Sequence, residues 1–494
     1  MPPARTWLWA SALSALAAFL IYACGALMLH PAQEHTFNPE RSPLAAAVSN
    51  VVHGAPFGKV YSGALDIALS SIRSTEQILA QASRPEVGRS KLLPNTEGGM
   101  GMGYLLVADV GFRLFGVHVV SLVYTMLALM AISAAAFWFR FPDERFIIVP
   151  VYFSALTVML VTPLVWEPDY SLGIPIGGFR YFSLVAILPA FHLLFELWDR
   201  RPLAWRWKDL LATAAQSIVF LTAVLVRNNA ATLIGAIVVG GMIFAWTLRR
   251  DRVATRTVAK KAGLMALVGA AFAGILMMSL SREYLSHGRF TETVWTRVVV
   301  SLGMHPDWPY GNLREIYDCR ENIPNGLVPG TEDQNGHCLW HVYAKKHNLP
   351  ADTAFVGGTY SRDYDAALRH EFFNILRAYP REVFETFAFI KVWRIYWALG
   401  RIFEVDLARV PVAVIALAAT ALANLFLLSL FASLPSTATA RATALFAAST
   451  LPAYIVAWAY VQTSADLACL LLIGLGLAVM AILTGARRVV APAS

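Results

Sequence analysis

The chain has few charged residues for its length: Asp, Glu, Lys and Arg make up 15% of its 494 residues, whereas hydrophobic residues make up 57%. Soluble domains carry about 25% charged residues. This shortage excludes an intrinsically disordered chain, a small secreted domain and a soluble enzyme. The net charge of +8 would indicate nucleic acid in a soluble protein. No nucleic-acid partner is predicted here, because the positions of the charges matter more than their sum.

Ten apolar runs approach or exceed the roughly 20 residues that a helix needs to cross a bilayer. They lie at Trp7–Leu29, His118–Phe139, Phe146–Pro163, Leu184–Leu197, Leu210–Val226, Ala231–Leu248, Ala262–Leu280, Val410–Leu434, Thr443–Val461 and Leu467–Thr484. The fourth run is short and is expected to begin nearer Tyr181. The sequence therefore predicts an all-α polytopic membrane protein with about ten transmembrane helices in a lipid bilayer.

Basic residues are divided unequally between the two sides of this arrangement. Fifteen Lys and Arg lie in the short stretches on one side, whereas the three short loops on the other side hold only Arg180 and Arg227. Lys and Arg accumulate on the cytoplasmic side of membrane proteins. We therefore predict that both termini are cytoplasmic and that the two long loops lie outside.

The topology divides the chain into three parts. Residues 1–280 are expected to form a seven-span membrane core, whose outer loop 30–117 carries two short helices. Residues 281–409 are expected to form an outer, α-rich domain with an interfacial helix, and residues 410–494 a three-span region. The outer domain is close to the commonest domain length.

Apolar spacing predicts four helices in the outer segments. Phe57–Ala82 is expected to be an amphipathic helix on the membrane surface or under a soluble cap, and Tyr104–Phe115 a second short helix. Asp363–Tyr379 carries apolar residues four apart. Val383–Phe403 is aromatic and basic, which is typical of a helix at the membrane interface.

Two features of the outer loops are candidates for recognition of an anion. The segment Thr96–Tyr104 has four glycines in six residues, among them Gly99 and Gly101, which lets backbone N–H groups approach a phosphate. A flexible hinge before the next helix is the favoured interpretation of this segment. Arg180 and Arg227 are suited to holding a lipid phosphate or diphosphate. The alternative is structural pairing with nearby carboxylates.

Cysteine is scarce, with four residues in the chain. Cys319 and Cys338 fall in the outer domain, on the oxidising side, and predict a disulfide. The alternative is a free or metal-bound thiol. The stretch Glu332–His337 contains oxygen ligands but is interpreted as a solvated turn.

The spacing of one histidine and one glutamate is compatible with a metal site but does not predict one. His192 and Glu196 are four residues apart on the fourth run, a spacing that could bind a metal. A satisfied buried pair or a snorkelling residue near the helix end is the favoured interpretation. No cofactor is predicted, and participation of a divalent metal stays open.

The order of elements resembles the shared core of the GT-C superfamily of membrane glycosyltransferases: one span, an outer loop with two short helices, six spans and an outer domain. The resemblance covers about residues 1–280 and concerns topology. It implies a sugar donor linked to a polyprenyl phosphate, a glycan or lipid acceptor, and action at the periplasmic face of a bacterial inner membrane. A catalytic carboxylate is then expected in the first outer loop, where Glu34, Asp66 and Glu97 are candidates.

The implied mechanism has two parts. A carboxylate deprotonates or orients the acceptor hydroxyl, and Arg180 and Arg227 neutralise the phosphate leaving group. A transporter or flippase of a lipid-linked glycan is the first alternative, but the sequence shows no internal repeat and almost no mid-membrane charge. A non-catalytic scaffold for envelope assembly is the second.

Overall fold

The structure is a computed structural model of the chain, and it describes residues 42–57, 59–69, 75–93, 102–118, 120–166, 181–199, 207–227, 230–279, 294–308, 332–349, 355–356, 359–360, 362–393, 437–456 and 461–490. This part of the chain is almost entirely helical. Its strands are two antiparallel pairs of two residues each, β1 (Val60–Tyr61) with β2 (Leu92–Leu93) and β3 (Phe355–Val356) with β4 (Thr359–Tyr360). The predicted helical class is therefore confirmed for these residues.

In the part of the first outer segment that the structure describes, there are five helices. They are α1 (Ser42–Val52), α2 (Ser62–Leu69), α3 (Thr75–Ala82), α4 (Pro85–Arg89) and α5 (Met102–Phe115). α1 is buried along most of its length, where it packs against α5, α2 and α3. α5 confirms the second short helix that the sequence predicts.

The predicted continuous helix over Phe57–Ala82 is wrong. The chain passes through strand β1, begins α2 only at Ser62 and begins the separate helix α3 at Thr75. Tyr61, which was expected on the apolar face of a helix, pairs instead with Leu92 of β2. Aromatic and β-branched residues favour strands, and a pairing partner 31 positions away is invisible to helical periodicity.

Six helices follow as the first part of a membrane-type bundle. They are α6 (Val120–Arg140), α7 (Ile148–Trp166), α8 (Ile187–Trp198), α9 (Trp207–Val226), α10 (Ala231–Thr247) and α11 (Arg252–Ser279). Short 3₁₀ turns, Pro142–Ile147 and Phe182–Ala186, precede α7 and α8. The second of these turns agrees with a fourth apolar segment that begins near Tyr181.

The described residues of the second outer segment form four helices: α12 (Val294–Leu302), α13 (Glu332–Lys346), α14 (Arg362–Ala378) and α15 (Pro380–Glu385). A π-helical turn, Thr386–Ile390, continues α15. These elements enclose a core of their own around Leu339, Trp340, Tyr364 and Leu368.

Two expectations for the second outer segment have different outcomes. α14 confirms the predicted helix Asp363–Tyr379, and it ends before Pro380 as the sequence indicates. The predicted solvated turn over Glu332–His337 is wrong, because these residues form the first turns of α13. Burial of Leu339 and Trp340 further along the same helix outweighs the turn preference of the Asn-Gly pair.

Two further helices, α16 (Thr437–Val456) and α17 (Val461–Val490), complete the described part of the bundle. α17 packs against α7, and α16 against α10 and α17. One large apolar core runs through the bundle and the first outer segment. Among the residues that the structure describes, three helical stretches are long and apolar enough to cross a membrane: Val120–Arg140, Trp207–Val226 and Arg252–Leu276. Phe182–Trp198, Ala231–Thr247 and Ala465–Val479 are shorter apolar helices.

Side-chain contacts show that the bundle helices alternate in direction. At one end, the last residue of α6, Arg140, binds Glu196 near the end of α8, and Lys261 in the first half of α11 binds the same carboxylate. At the other end, Ser183, in the turn before α8, donates a hydrogen bond to Asp466 near the start of α17. We refer to these as the charged end and the Asp466 end.

Candidate functional site

The glycine-rich segment leads into a close contact between two helices. Gly103, the second residue of α5, lies so near the last turn of α9 that a Cβ atom would overlap the backbone of Leu225 and Val226. Only glycine permits this approach without a shift of one helix. The contact fixes the start of α5 on the end of α9.

The start of α8 lies at the same place. The Phe182–Ala186 turn packs against α9, which returns antiparallel to α8 after a short connection. The Ser183 hydroxyl lies 2.6 Å from Oδ1 of Asp466, and both residues are buried. Four helix termini therefore meet at the Asp466 end: the starts of α5, α8 and α17 and the end of α9.

Arg227 stands where α9 ends. Its backbone N–H donates to the carbonyl of Ala223 at 2.9 Å, and its own carbonyl accepts from Ala230 at 3.1 Å. The residue is half-buried. Arg227 therefore lies beside the contact that Gly103 makes with α9. A guanidinium group can bind two oxygens of one phosphate at the same time.

Most of the predicted site residues lie outside the described part of the chain: Glu34, Glu97, Gly99, Gly101, Arg180 and Cys319. Arg180 directly precedes Tyr181, which is buried at the start of the turn that contacts α9. Asp66 is exposed on α2, a helix that packs against α1, α3 and α4 within the outer loop. The structure thus brings Arg227 to the Asp466 end and leaves the other assignments as predictions.

Asp466 is the site residue that the sequence interpretation missed. It lies one position before the predicted last span, Leu467–Thr484. The helix begins at Val461, so Asp466 is inside it and only 7% exposed. The sequence does single out Asp466 in one respect, because it is the one acidic residue that follows Asp406 in the chain. A lone carboxylate at membrane depth is costly unless it has partners or a function.

A second buried carboxylate, Asp109 of α5, has a structural role. Arg113 donates to its Oδ1 at 2.8 Å and Asn50 of α1 donates to its Oδ2 at 3.3 Å. The Arg113 guanidinium also binds the carbonyl of Ala55 and lies 4.7 Å from the ring of Phe57. The carboxylate is therefore neutralised and ties α1 to α5.

The charged end holds a network of four ionised side chains from three helices. Arg140 binds both oxygens of Glu196, at 2.7 and 2.8 Å, and one oxygen of Asp199 at 3.2 Å. Lys261 lies 3.3 Å from Glu196 and donates to the carbonyl of Asp199 at 2.8 Å. Two cations balance two anions, so this network fastens the helices α6, α8 and α11 together.

His192 sits one helical turn before Glu196 and is fully buried. Its ring packs edge-on against Phe137 and Phe141, with centroids 5.9 and 4.9 Å away. Among the described residues, no group of three or more His, Cys, Asp or Glu side chains could hold a metal ion. Glu196 pairs with Arg140 and Lys261 and not with His192, and neither ring nitrogen of His192 has a hydrogen-bond partner within the part of the chain that the structure describes, so the expected satisfied pair is wrong.

The outer domain holds an ion pair at its surface. Arg381 donates to Glu385 at 2.9 Å, and His305 lies 3.7 Å from the same carboxylate. The hydrogen bond from Arg381 lowers the pKa of Glu385 below its ordinary value. Cys338 is buried in α13, and because Cys319 lies outside the described residues, their disulfide stays a prediction.

Comparison with known proteins gives no relative: no protein family, no curated protein and no solved structure matches the chain.

Proposed function

We propose that the chain is a ten-span membrane glycosyltransferase with a GT-C-like core, which transfers a sugar from a polyprenyl-phosphate carrier to an envelope acceptor at the periplasmic face. Its charged end would face the cytoplasm, and its Asp466 end the periplasm. The apolar helices and their alternation support the membrane part of the proposal.

The observation that carries the proposal is the convergence on the end of α9. Arg227 ends this helix, Gly103 brings the start of α5 against it, and the turn that follows Arg180 packs on it. Two arginines and a glycine-rich segment are the elements that an anionic lipid headgroup requires. In a bilayer, an arginine at this depth is stabilised by facing a partner or a cavity.

The chemistry follows from the charge that develops during transfer. As the sugar leaves, negative charge grows on the carrier phosphate, and Arg180 and Arg227 would stabilise it. The acceptor hydroxyl needs a base, for which Glu34, Asp66 and Glu97 of the first outer loop are the candidates. The polyprenyl tail would stay in the bilayer between the helices.

Binding of undecaprenyl phosphate to the full chain in lipid nanodiscs tests the phosphate site. We expect Arg227→Ala to weaken binding by about tenfold or more, as loss of hydrogen bonds to a charged group does. Arg249→Ala is the matched control, since Arg249 is exposed beyond α10 and stacks on Trp246. Equal binding by the wild type and both variants would contradict the site.

Transfer is tested separately by assaying surface glycans in cells that carry Glu34→Gln, Asp66→Asn or Glu97→Gln. Loss of a general base lowers the rate by a factor of about 10² to 10⁴. We expect one of the three variants to show this loss while it still binds undecaprenyl phosphate. Wild-type glycans in all three would rule out the base assignment, and glycan loss only on deletion of residues 281–409 would favour a scaffold.

A further inference from the structure

The outer domain exposes three aromatic side chains on one side of its last described helix. Phe384 is 62% exposed, Phe389 63% and Trp393 65%. Val392, beside them, is 41% exposed. We call Phe384, Phe389 and Trp393 the aromatic face.

A π-helical turn creates this face. In an α-helix, residues five apart point about 140° away from each other, because one turn takes 3.6 residues. Here the N–H of Lys391 donates to the carbonyl of Thr386, five residues earlier. The wider turn brings Phe389 over Phe384, and their rings meet edge to face with centroids 5.9 Å apart. Trp393 follows one α-helical turn after Phe389.

The polar side chains on the opposite side of the same helix, Lys391 and Thr386, are buried in the outer domain. Lys391 is fully buried, its ammonium group donates to the Ser301 hydroxyl at 2.9 Å, and it lies 4.9 Å from the Phe387 ring. Thr386 is also buried. A helix on the surface of a soluble protein normally buries its apolar side and exposes its charged side. This helix does the opposite, since it buries the cation of Lys391 and exposes three aromatic rings. π-turns within α-helices are rare and occur often at functional sites.

Three observations indicate what covers the aromatic face. The π-turn packs against α16, a helix of the membrane-type bundle, so the face lies beside the region that lipid surrounds. The three exposed rings also amount to about 400 Å², since a whole aromatic side chain offers about 150–250 Å². That is about half of what one partner buries in a stable protein complex. Aromatic rings followed in the sequence by basic residues, here Arg394 and Arg401, are typical of the membrane–water interface.

We propose that the helix Pro380–Trp393 lies in the outer interface of the bilayer, with the aromatic face inserted at the boundary between headgroups and acyl chains. The π-turn is the device that aligns the three rings. This contact would hold the outer domain at a fixed height over the bundle. It depends on the chain lying in a membrane and does not depend on glycosyltransferase activity.

Spin labels on single cysteines test the proposal in the full chain, reconstituted in phosphatidylethanolamine–phosphatidylglycerol nanodiscs after replacement of all four native cysteines, Cys24, Cys319, Cys338 and Cys469, by alanine. We expect labels at Phe384→Cys and Phe389→Cys to collide with oxygen in preference to a water-soluble nickel chelate. Their oxygen-to-nickel collision ratio should exceed several-fold that of Arg381→Cys, an exposed position on the same helix. Phe373→Cys is the control for an exposed phenylalanine on a different helix, α14.

Two results would overturn the proposal. The first is a collision ratio at Phe384 and Phe389 equal to that at Arg381. The second is spin–spin broadening at both positions, which would show that another copy of the chain covers the face. If Phe389→Cys does not fold, Trp393→Cys reports on the same face. Deletion of Ala388, one residue of the π-turn, should rotate Trp393 and reduce its lipid exposure while leaving Phe384 unchanged, and unchanged exposure at Trp393 would refute the role of the turn.

Discussion

Ser183 and Asp466 are separated by 283 positions in the sequence and joined by a hydrogen bond of 2.6 Å in the structure. The bond connects the turn that follows Arg180 to the last helix of the bundle. Because both side chains are buried, water does not replace the bond when one partner is removed. We therefore expect a change at Asp466 to shift this turn, and with it the segment that carries the proposed phosphate-binding Arg180.

Removal of the Asp466 carboxylate should destabilise the protein and weaken the candidate site. We expect Asp466→Ala to lower the free energy of unfolding by about 1–3 kcal/mol, because the buried Ser183 hydroxyl loses its acceptor. Asp466→Asn keeps an acceptor oxygen and should cost less. Unfolding of the purified chain in mild detergent measures both. Equal stability of Asp466→Ala and the wild type would show that the bond contributes nothing.

The network at the charged end should be sensitive to the loss of one member. Glu196→Ala leaves the buried cations Arg140 and Lys261 with one anion, Asp199, between them, and breaking a buried pair in this way costs about 3–5 kcal/mol. Replacement of Arg140, Glu196, Asp199 and Lys261 together by Met, Leu, Asn and Met should cost less than Glu196→Ala alone. Thermal unfolding compares them, with Arg249→Ala as the exposed control. A quadruple variant less stable than the single one would contradict this account.

Glycine is required at one position in a helix and dispensable at another. Gly103→Ala should destabilise the protein by about 2 kcal/mol or more, since its methyl group would overlap the backbone of α9. Gly263→Ala, within α11, meets nothing within 4 Å and should stabilise the helix by about 0.5–1 kcal/mol. Unfolding midpoints of the two variants should move in opposite directions, and a tolerated Gly103→Ala would show that the α5–α9 contact is loose.

The outer domain should show a dependence on acid pH that originates at Glu385. Its pKa is lowered in the folded state by the hydrogen bond from Arg381, so its contribution to stability is complete above the unfolded pKa of about 4.3. The contribution is lost as the pH falls through the lowered folded value. Glu385→Gln should remove this part of the pH dependence, as measured by unfolding of the full chain between about pH 3 and 6. Arg381→Gln should have the same effect by restoring an ordinary pKa, and an unchanged profile in both variants would exclude the pair as the source.

The length of the apolar runs predicted the long helices well, whereas apolar spacing predicted the short outer elements less well. The apolar runs that become α6 and α9 lie within about three residues of the expected bounds, because a long apolar stretch forms a helix wherever it is placed in lipid, whereas α11 begins at Arg252, well before the expected Ala262. The helix expected over Phe57–Ala82 failed, because the strand pair β1–β2 depends on residues far apart in the chain. Asp466 was missed because its importance comes from Ser183, which approaches it only when the bundle is packed.

The sequence alone determined that this chain is helical and apolar, and where its longest helices lie, since composition and local spacing control whether a segment can hide its backbone from lipid. The tertiary structure decided which polar groups meet. It joined Ser183 to Asp466, placed Gly103 against α9, and turned the cation of Lys391 inward and three aromatic rings outward. Such contacts depend on how helices distant in the sequence pack together and on the π-helical turn Thr386–Ile390. Neither can be recognised from the spacing of apolar residues along the chain.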